Sequence, residues 1–443
     1  QNLRGLAARI LGEVLDRKQP LKSVLQREQD KLAHEPDRSL LRELTTGVLR
    51  HLPHLDWAVD ELTTRGIVET QQELIHVLRV GAYQILMLSR IPGYAAVDEC
   101  VDAATRIGPG AGGFVNGILR SLAEHRAELL EGPYRFPGRE GAAMRLGVPD
   151  WLLARYERRF GAVEAERILS AFQHPSGTTV FFPSATSLVQ GRAILDKEGI
   201  SYQPDPVFPL TLRILEGNPA RSEAFNRGLF YVCDPASQVP ALLLPLPGAS
   251  LILDLCAAPG GKTVVLSSRK ARSWILSTDV NRRRISRIKE NLSRMSISGV
   301  RMAQVNVEGG LPFPACMESV LLDAPCSSLG TLRKNPEIRW QINESDLETF
   351  HEREASFLEK ASEVIRPGGY LLYSVCSLET EETSNVIGTF LERHRNFALA
   401  PLKPPSFLKG LMDQPRKGDA YCLPHRHDWD GFYVALLRRR PDR

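Results

Sequence analysis

Two cysteines and one aspartate each follow an apolar stretch that predicts a buried strand. The stretch SVLLDAPCSSLG, residues 319–330, places Asp323 and Cys326 after its apolar run, and YLLYSVCS, residues 370–377, places Cys376 after another. Because parallel strands end at one edge of a sheet, we expect the acid and both thiols to lie together there. A single cysteine is more often a buried packing residue. Two thiols beside a carboxyl group at neighbouring strand ends indicate a catalytic site.

This combination fits covalent catalysis on a pyrimidine ring. C5 of a pyrimidine is a poor nucleophile, and a thiolate that adds to C6 makes C5 electron-rich enough to attack a methyl sulfonium. An acid with a raised pKa in a dry site would hydrogen-bond N3 of cytosine, and Asp323 is the candidate. The second thiol would assist the release of the product. Residue types and spacing leave open which cysteine attacks.

A small-residue loop with two glycines indicates a nucleotide-like cofactor. The stretch LDLCAAPGGKT, residues 253–263, lets the backbone approach a ligand and then opens a helix. A nucleotide P-loop fails by one residue, because Cys256 stands where its first glycine belongs, and the G-x-G-x-x-G fingerprint is absent. The third interpretation is an S-adenosylmethionine (SAM) loop, with Asp279 at the next strand end near the ribose hydroxyls.

The pattern of elements predicts three domains. Residues 1–135 show apolar residues three and four apart and predict an all-α bundle. A Pro/Gly-rich patch follows, and residues 144–240 predict a small α+β subdomain with two helices and then three short strands. Residues 241–443 alternate strands and helices, which predicts an α/β, Rossmann-like, doubly wound parallel sheet. The predicted site lies at the carboxyl ends of that sheet's strands.

Composition excludes some kinds of protein but does not identify the function. The chain has 443 residues and a net charge of +4, which is compatible with a nucleic-acid partner and with many enzymes. Its seven cysteines include no C-x-x-C pair, so we expect no disulfide framework, no metal and a reducing cytoplasm. No run of eighteen apolar residues occurs, and charges interrupt the apolar N-terminal pattern, so we expect neither a membrane partner nor a signal peptide.

Several motifs together resemble one family. LDLCAAPGGKT, LLDAPCSSLGTLRKNPEIRW and YSVCSLETEE are similar to motifs of the Sun-type RNA (cytosine-5) methyltransferases. The stretches LRELTTGVLR and GGFVNGILRSL resemble the NusB-like RNA-binding domain. The resemblance implies an enzyme that uses SAM to methylate C5 of a cytosine in 16S ribosomal RNA, in the cytoplasm and as a monomer. The alternative is a non-catalytic RNA-binding factor of ribosome assembly.

The resemblance also implies residue roles. Cys376 would be the nucleophile, Cys326 the residue for product release, and Asp323 the neighbour of the methionine part and of the target base. Asp279 would hold the ribose, and Asn306 stands near the adenine, where the family usually has an aspartate. The remaining SAM-binding residues would be Cys256, Ala257, Ala258, Pro259, Gly260, Gly261 and Lys262.

Overall fold

The computed structural model describes residues 2–63, 66–89, 93–247, 251–269 and 274–442. The helices are α1 (Leu3–Leu15), α2 (Leu21–Gln29), α3 (Glu35–Asp60), α4 (Gln72–Met87), α5 (Gly93–Thr105), α6 (Ala111–Glu124), α7 (Arg126–Arg135), α8 (Arg139–Leu146), α9 (Asp150–Phe160), α10 (Ala162–Gln173), α11 (Ala185–Lys197), α12 (Glu223–Asn226), α13 (Pro235–Leu243), α14 (Gly261–Arg269), α15 (Arg282–Arg294), α16 (Ile338–Gln341), α17 (Asp346–Glu363), α18 (Ser384–Arg393) and α19 (Pro424–His427).

The strands are β1 (Thr178–Phe181), β2 (Ser201–Pro204), β3 (Thr211–Glu216), β4 (Tyr231–Val232), β5 (Leu251–Leu255), β6 (Trp274–Asp279), β7 (Val300–Gln304), β8 (Met317–Asp323), β9 (Ile365–Val375), β10 (Phe397–Leu399), β11 (Asp413–Arg416), β12 (Asp419–Cys422) and β13 (Phe432–Arg439). The chain divides into two compact units, one of Gln1–His174 with Leu332–Glu344 and one of Pro175–Thr331 with Ser345–Arg443. No helix in the described ranges is long and apolar enough to cross a bilayer.

The first unit is helical, as the apolar spacing predicts. Its core draws on the apolar stripes of α1, α3, α4 and α6, where Leu11, Leu44, Leu78 and Leu119 are fully buried. Helices presenting such stripes stabilise one another by removing apolar surface from water. The helical architecture predicted for this part of the chain is therefore confirmed.

The segment Leu332–Glu344 belongs to this helical unit, which the domain prediction did not anticipate. Trp340 packs on the unit's core, and its indole nitrogen donates to the carbonyl oxygen of Leu49 at 2.7 Å. Arg339 is fully buried and donates to the carbonyl of Gly147 at 2.8 Å. Backbone carbonyls thus satisfy much of this buried cation, whose pKa burial lowers to about 9.

The second unit holds two sheets. The smaller has the antiparallel order β2-β3-β1-β4. Its strand β3 lies between β2 and β1 and was missing from the three strands expected here. Residues of β1, α13 and β5 share one apolar cluster, represented by Phe181, Val239 and Ile252, so this sheet packs into the same unit as the larger one.

The larger sheet has a parallel centre in the order β7-β6-β5-β8-β9, and antiparallel strands continue it beyond β9. The predicted doubly wound sheet is confirmed. Val320, Leu321 and Leu322 of β8 are fully buried, as expected for a central parallel strand covered on both faces. The strand order reverses between β5 and β8. Ligands bind at such switch points, beyond the carboxyl ends of the strands.

Candidate active site

The loop between β5 and α14 has an unusual and well-anchored backbone. Cys256 has φ +57°, a region that L-residues rarely adopt, and Gly260 has φ +103°. A Cβ at Gly260 would lie 3.3 Å from Ile288, so glycine suits both the angle and the space. The amide of Ala257 donates to the carbonyl of Thr278 at 2.8 Å, which ties the loop to β6. Strain held by such anchors is typical of ligand-binding loops.

The side chains of this loop contribute shape more than chemistry. Burial raises the pKa of the Cys256 thiol to about 12, so the thiol is neutral near pH 7 and unsuited to nucleophilic attack. The carbonyl oxygen of Ala258 accepts from Arg284 at 3.3 Å, and that of Pro259 accepts from Asn291 at 3.1 Å. These contacts hold the middle of the loop against α15.

Asp279 presents an unsatisfied acceptor at the end of β6. One carboxylate oxygen, Oδ1, accepts from the amide of Asn281 at 3.0 Å. The other, Oδ2, is buried and has no hydrogen-bond donor, although Arg284 Nε approaches to 3.6 Å. A buried carboxylate oxygen normally has a donor, so a ribose hydroxyl suits this position. Asn306, beyond the end of β7, is exposed and accepts from the amide of Glu308 at 3.2 Å.

Asp323 enters the site as one half of an ion pair. Its Oδ2 accepts from Lys262 Nζ at 2.7 Å, and its Oδ1 accepts from the Ser374 hydroxyl at 2.8 Å. Burial disfavours the ammonium of Lys262, but the Asp323 carboxylate outweighs this effect and raises the pKa of Lys262. The sequence predicted an acid with a raised pKa in a dry site and did not anticipate this cationic partner.

The two predicted thiols lie together. Cys326 Sγ is 3.3 Å from Cys376 Sγ, and both side chains are partly exposed. The hydrogen bond to Cys376, followed by burial, raises the pKa of Cys326 well above its ordinary value of 9.0. Cys326 is therefore protonated near neutral pH, and either sulfur can donate to the other. A thiol that holds its proton is a poor nucleophile, so the raised pKa disfavours Cys326 as the attacking residue.

Sequence reasoning missed two further residues, of which Ser328 contacts the Cys376 sulfur and Glu382 contacts the residues that follow the two cysteines. The Ser328 hydroxyl lies 3.4 Å from Cys376 Sγ, and Ser328 has φ +63°. Glu382 is fully buried and accepts hydrogen bonds from Ser327 and Ser377, the residues that follow the two cysteines. The cluster of acids in SLETEE was visible in the sequence, but nothing in the spacing distinguished Glu382 from its neighbours.

In the described ranges, no three His, Cys, Asp or Glu side chains form a cluster that could hold a metal ion. The features that converge at the β5/β8 switch point are therefore a loop of small residues, an ion pair and two thiols. Backbone amides and a carboxylate at such a point fit a nucleoside-containing cofactor.

Comparison of the sequence with protein families finds two matches in tandem. Residues 1–124 match the NusB family. Residues 241–438 match the family described as 16S rRNA methyltransferase RsmB/F. The second range contains every predicted site residue.

Full-length relatives and solved structures agree with these matches. The chain is 33% identical to ribosomal RNA small subunit methyltransferase B of Yersinia pestis, with 99% of both chains covered. The crystal structure of PH0851 superposes with a TM-score of 0.79 at 26% identity, over 99% of this chain and 98% of that one. The structure of NSun6 from Pyrococcus horikoshii with SFG has a TM-score of 0.58 at 20% identity, over 66% of this chain and 99% of that one, which shows a shared fold.

Proposed function

The chain belongs to the RsmB/F family of SAM-dependent ribosomal RNA methyltransferases, and from this premise we propose that it methylates C5 of a cytosine in 16S ribosomal RNA. In this proposal Cys376 bonds transiently to C6 of the ring. The observation that supports it most directly is the 3.3 Å approach of Cys376 Sγ to Cys326 Sγ beside Asp323. Two partly exposed thiols at neighbouring strand ends match the needs of attack and release.

Attack and release place opposite demands on the two sulfurs. As the Cys376 thiolate forms a bond to C6, the electrons of the C5–C6 double bond move to C5, which then takes the methyl group. The C5 proton then passes to water, its bonding electrons restore the C5–C6 double bond, and the C6–S bond breaks with its electrons going to the Cys376 sulfur. Cys326 keeps its proton because its pKa is raised, so it can hydrogen-bond and protonate the departing Cys376 sulfur.

The Asp323–Lys262 pair suits recognition of the cytosine and stabilisation of its charge. The exocyclic amine of cytosine is a donor, and the Asp323 carboxylate is an acceptor. Lys262 brings a positive charge within 2.7 Å of Asp323, and a fixed positive charge favours the electron-rich ring formed after attack. This assignment replaces the neutral acid at Asp323 with an ion pair and keeps Asp323 beside the base.

SAM, when bound, supplies an electrophilic methyl group on a sulfonium sulfur. We assign its contacts to Asp279, Asn306 and Asp323 and to one loop. The loop residues are Cys256, Ala257, Ala258, Pro259, Gly260, Gly261 and Lys262. The unsatisfied Oδ2 of Asp279 supports the ribose contact. The positive end of α14 and the loop amides favour the carboxylate of the methionine part.

The domain limits fit this function. The NusB match supports an RNA-binding role for the predicted domain 1–135, and the methyltransferase match supports a catalytic domain within 241–443. We assign the predicted subdomain 144–240 as the link between these two domains in sequence.

The direct test is methyl transfer from SAM to 16S ribosomal RNA that lacks this modification. Mass spectrometry of nuclease digests should find 5-methylcytidine at one position. A Cys376→Ala variant should bind SAM normally in calorimetry and transfer no methyl group. Binding of RNA without SAM binding or methylation would instead support a non-catalytic assembly factor.

A further inference from the structure

A buried carboxylate links the two cysteine-bearing segments. Glu382 Oε1 accepts from the amide of Ser327 at 2.6 Å, and its Oε2 accepts from the Ser327 hydroxyl at 2.6 Å. The Ser377 hydroxyl also donates to Oε2. Ser327 directly follows Cys326, and Ser377 directly follows Cys376. One side chain therefore holds the neighbours of both sulfurs.

These contacts are of the strong kind. Hydrogen bonds to a charged acceptor are about twice as strong as neutral ones, and here they lie where water does not compete. Glu382 and Ser377 are fully buried, and Ser327 is nearly so. A backbone bond from Gly330 to the carbonyl of Cys376, at 2.9 Å, joins the same two segments. The carboxylate thus reinforces a connection that the backbone begins.

A second buried acid, Glu354, lies beside Glu382. Burial, followed by the charge of Glu382, raises the pKa of Glu354 to about 11, so Glu354 is protonated near neutral pH. The Tyr373 hydroxyl lies 3.2 Å from Glu354 Oε2 and donates to the carbonyl oxygen of Glu382 at 2.7 Å. Tyr373 thus connects this protonated acid to the backbone of Glu382.

We propose that Glu382 is a positioning residue that fixes the separation of the Cys326 and Cys376 sulfurs through Ser327 and Ser377. Its role in turnover rests on the proposed covalent mechanism. Glu382 touches neither sulfur, so its loss should slow the steps that need both thiols and leave the binding of SAM and RNA unchanged. A residue that only stabilised the fold would not divide kcat from KM in this way.

The sulfur separation can be measured without substrates by using dibromobimane. Each sulfur displaces one bromide from the probe, so two C–S bonds form, two C–Br bonds break, and two bromides and two protons are released. The doubly linked product is fluorescent. Wild-type protein should cross-link Cys326 to Cys376, and Cys326→Ala and Cys376→Ala should not. Tryptic mass mapping separates this product from labelling of the exposed Cys316.

The test variant is Glu382→Gln, which keeps the shape of the side chain and removes its charge. We expect cross-linking and kcat each to fall by about tenfold, with KM for SAM and RNA within about twofold of wild type. Glu381→Gln is the matched control, because it makes the same change at the adjacent acid, which accepts from Thr380 at 3.1 Å. It should behave as wild type.

A folded Glu382→Gln variant with wild-type cross-linking and kcat would overturn the proposal. If that variant does not fold, Ser377→Ala removes one of the three hydrogen bonds and must lower both quantities, and wild-type values would again overturn it. A wild-type enzyme that cross-links as expected but methylates no RNA would contradict the proposed function alone.

Discussion

Lys262 Nζ lies 2.7 Å from Asp323 Oδ2 and joins the loop after β5 to the end of β8. These two strands flank the point where the strand order reverses. The ion pair therefore spans the position where a doubly wound sheet binds its ligand. Its Lys262 also lies over the ring of Phe432, 5.3 Å from the centroid, so the ammonium is held from two sides.

Removing one charge of the Lys262–Asp323 ion pair should lower the stability of the fold. Lys262→Met leaves the partly buried Asp323 carboxylate without its cation, and we expect the free energy of unfolding to fall by about 1–3 kcal/mol. The double variant Lys262→Met/Asp323→Asn should recover part of that loss, because neither charge is then left alone. Urea unfolding measures the free energies of the single and double variants. If the losses of the two single substitutions simply add in the double variant, Lys262 and Asp323 do not stabilise each other.

Asp279 should matter for SAM affinity and little for the fold. Its Oδ2 has no hydrogen-bond donor, so Asp279→Ala removes an acceptor assigned to the ribose. We expect a loss of about tenfold or more in SAM affinity by calorimetry. Asn306→Ala is the comparison, because Asn306 is exposed and its substitution should cost less. Equal affinities for wild type and Asp279→Ala would refute the ribose assignment.

The buried Asp254 should make stability depend on pH. Burial raises its pKa from 3.8 to about 7, while the Thr263 hydroxyl donates to Oδ2 at 2.6 Å and Oδ1 has no partner. The folded protein therefore keeps a proton that the unfolded chain releases, and stability falls as pH rises from 4 to 7.

Asp254→Asn imitates the protonated acid and should remove this dependence. Between pH 4 and pH 7 the free energy of unfolding of wild type should fall relative to the variant by up to about 4 kcal/mol. Parallel curves for the two proteins in apo form, measured by urea titration across this range, would show that Asp254 does not hold the proton.

Cys326→Ala should trap the enzyme on unmodified RNA. The variant retains Cys376 and so forms the C6–S bond, but it lacks the thiol placed 3.3 Å away to protonate the leaving sulfur. We expect a protein–RNA band on denaturing gels in the presence of SAM. The double variant Cys326→Ala/Cys376→Ala should show no band, and a band in its lane would exclude Cys376 as the point of attachment.

The sequence could predict which side chains share one edge of the sheet, because one rule of topology governs the ends of parallel strands. Asp279, Asp323 and Cys376 each end or follow a parallel strand, so apolar runs sufficed to bring them to one edge. The same rule could not supply partners that come from elsewhere in the chain. The cation beside Asp323 comes from Lys262, which sequence reasoning assigned to the cofactor alone.

Sequence reasoning missed other features because they depend on contacts between residues far apart in the chain. Strand β3 was missed, and its central place in the smaller sheet depends on pairing with β1 and β2. Leu332–Glu344 follows Cys326 closely in sequence, yet Arg339 and Trp340 donate to carbonyls of the helical unit. Long-range hydrogen bonds decide such placements, and periodicity does not report them.

The most direct test of the covalent mechanism uses 16S ribosomal RNA carrying 5-fluorocytidine, with SAM and purified protein. Fluorine at C5 cannot leave as a proton does, so the ring should stay bonded to the enzyme after methyl transfer. The account predicts an adduct that survives denaturation and maps by mass spectrometry to Cys376. An adduct that maps to Cys326, or that forms equally well with Cys376→Ala, would contradict it.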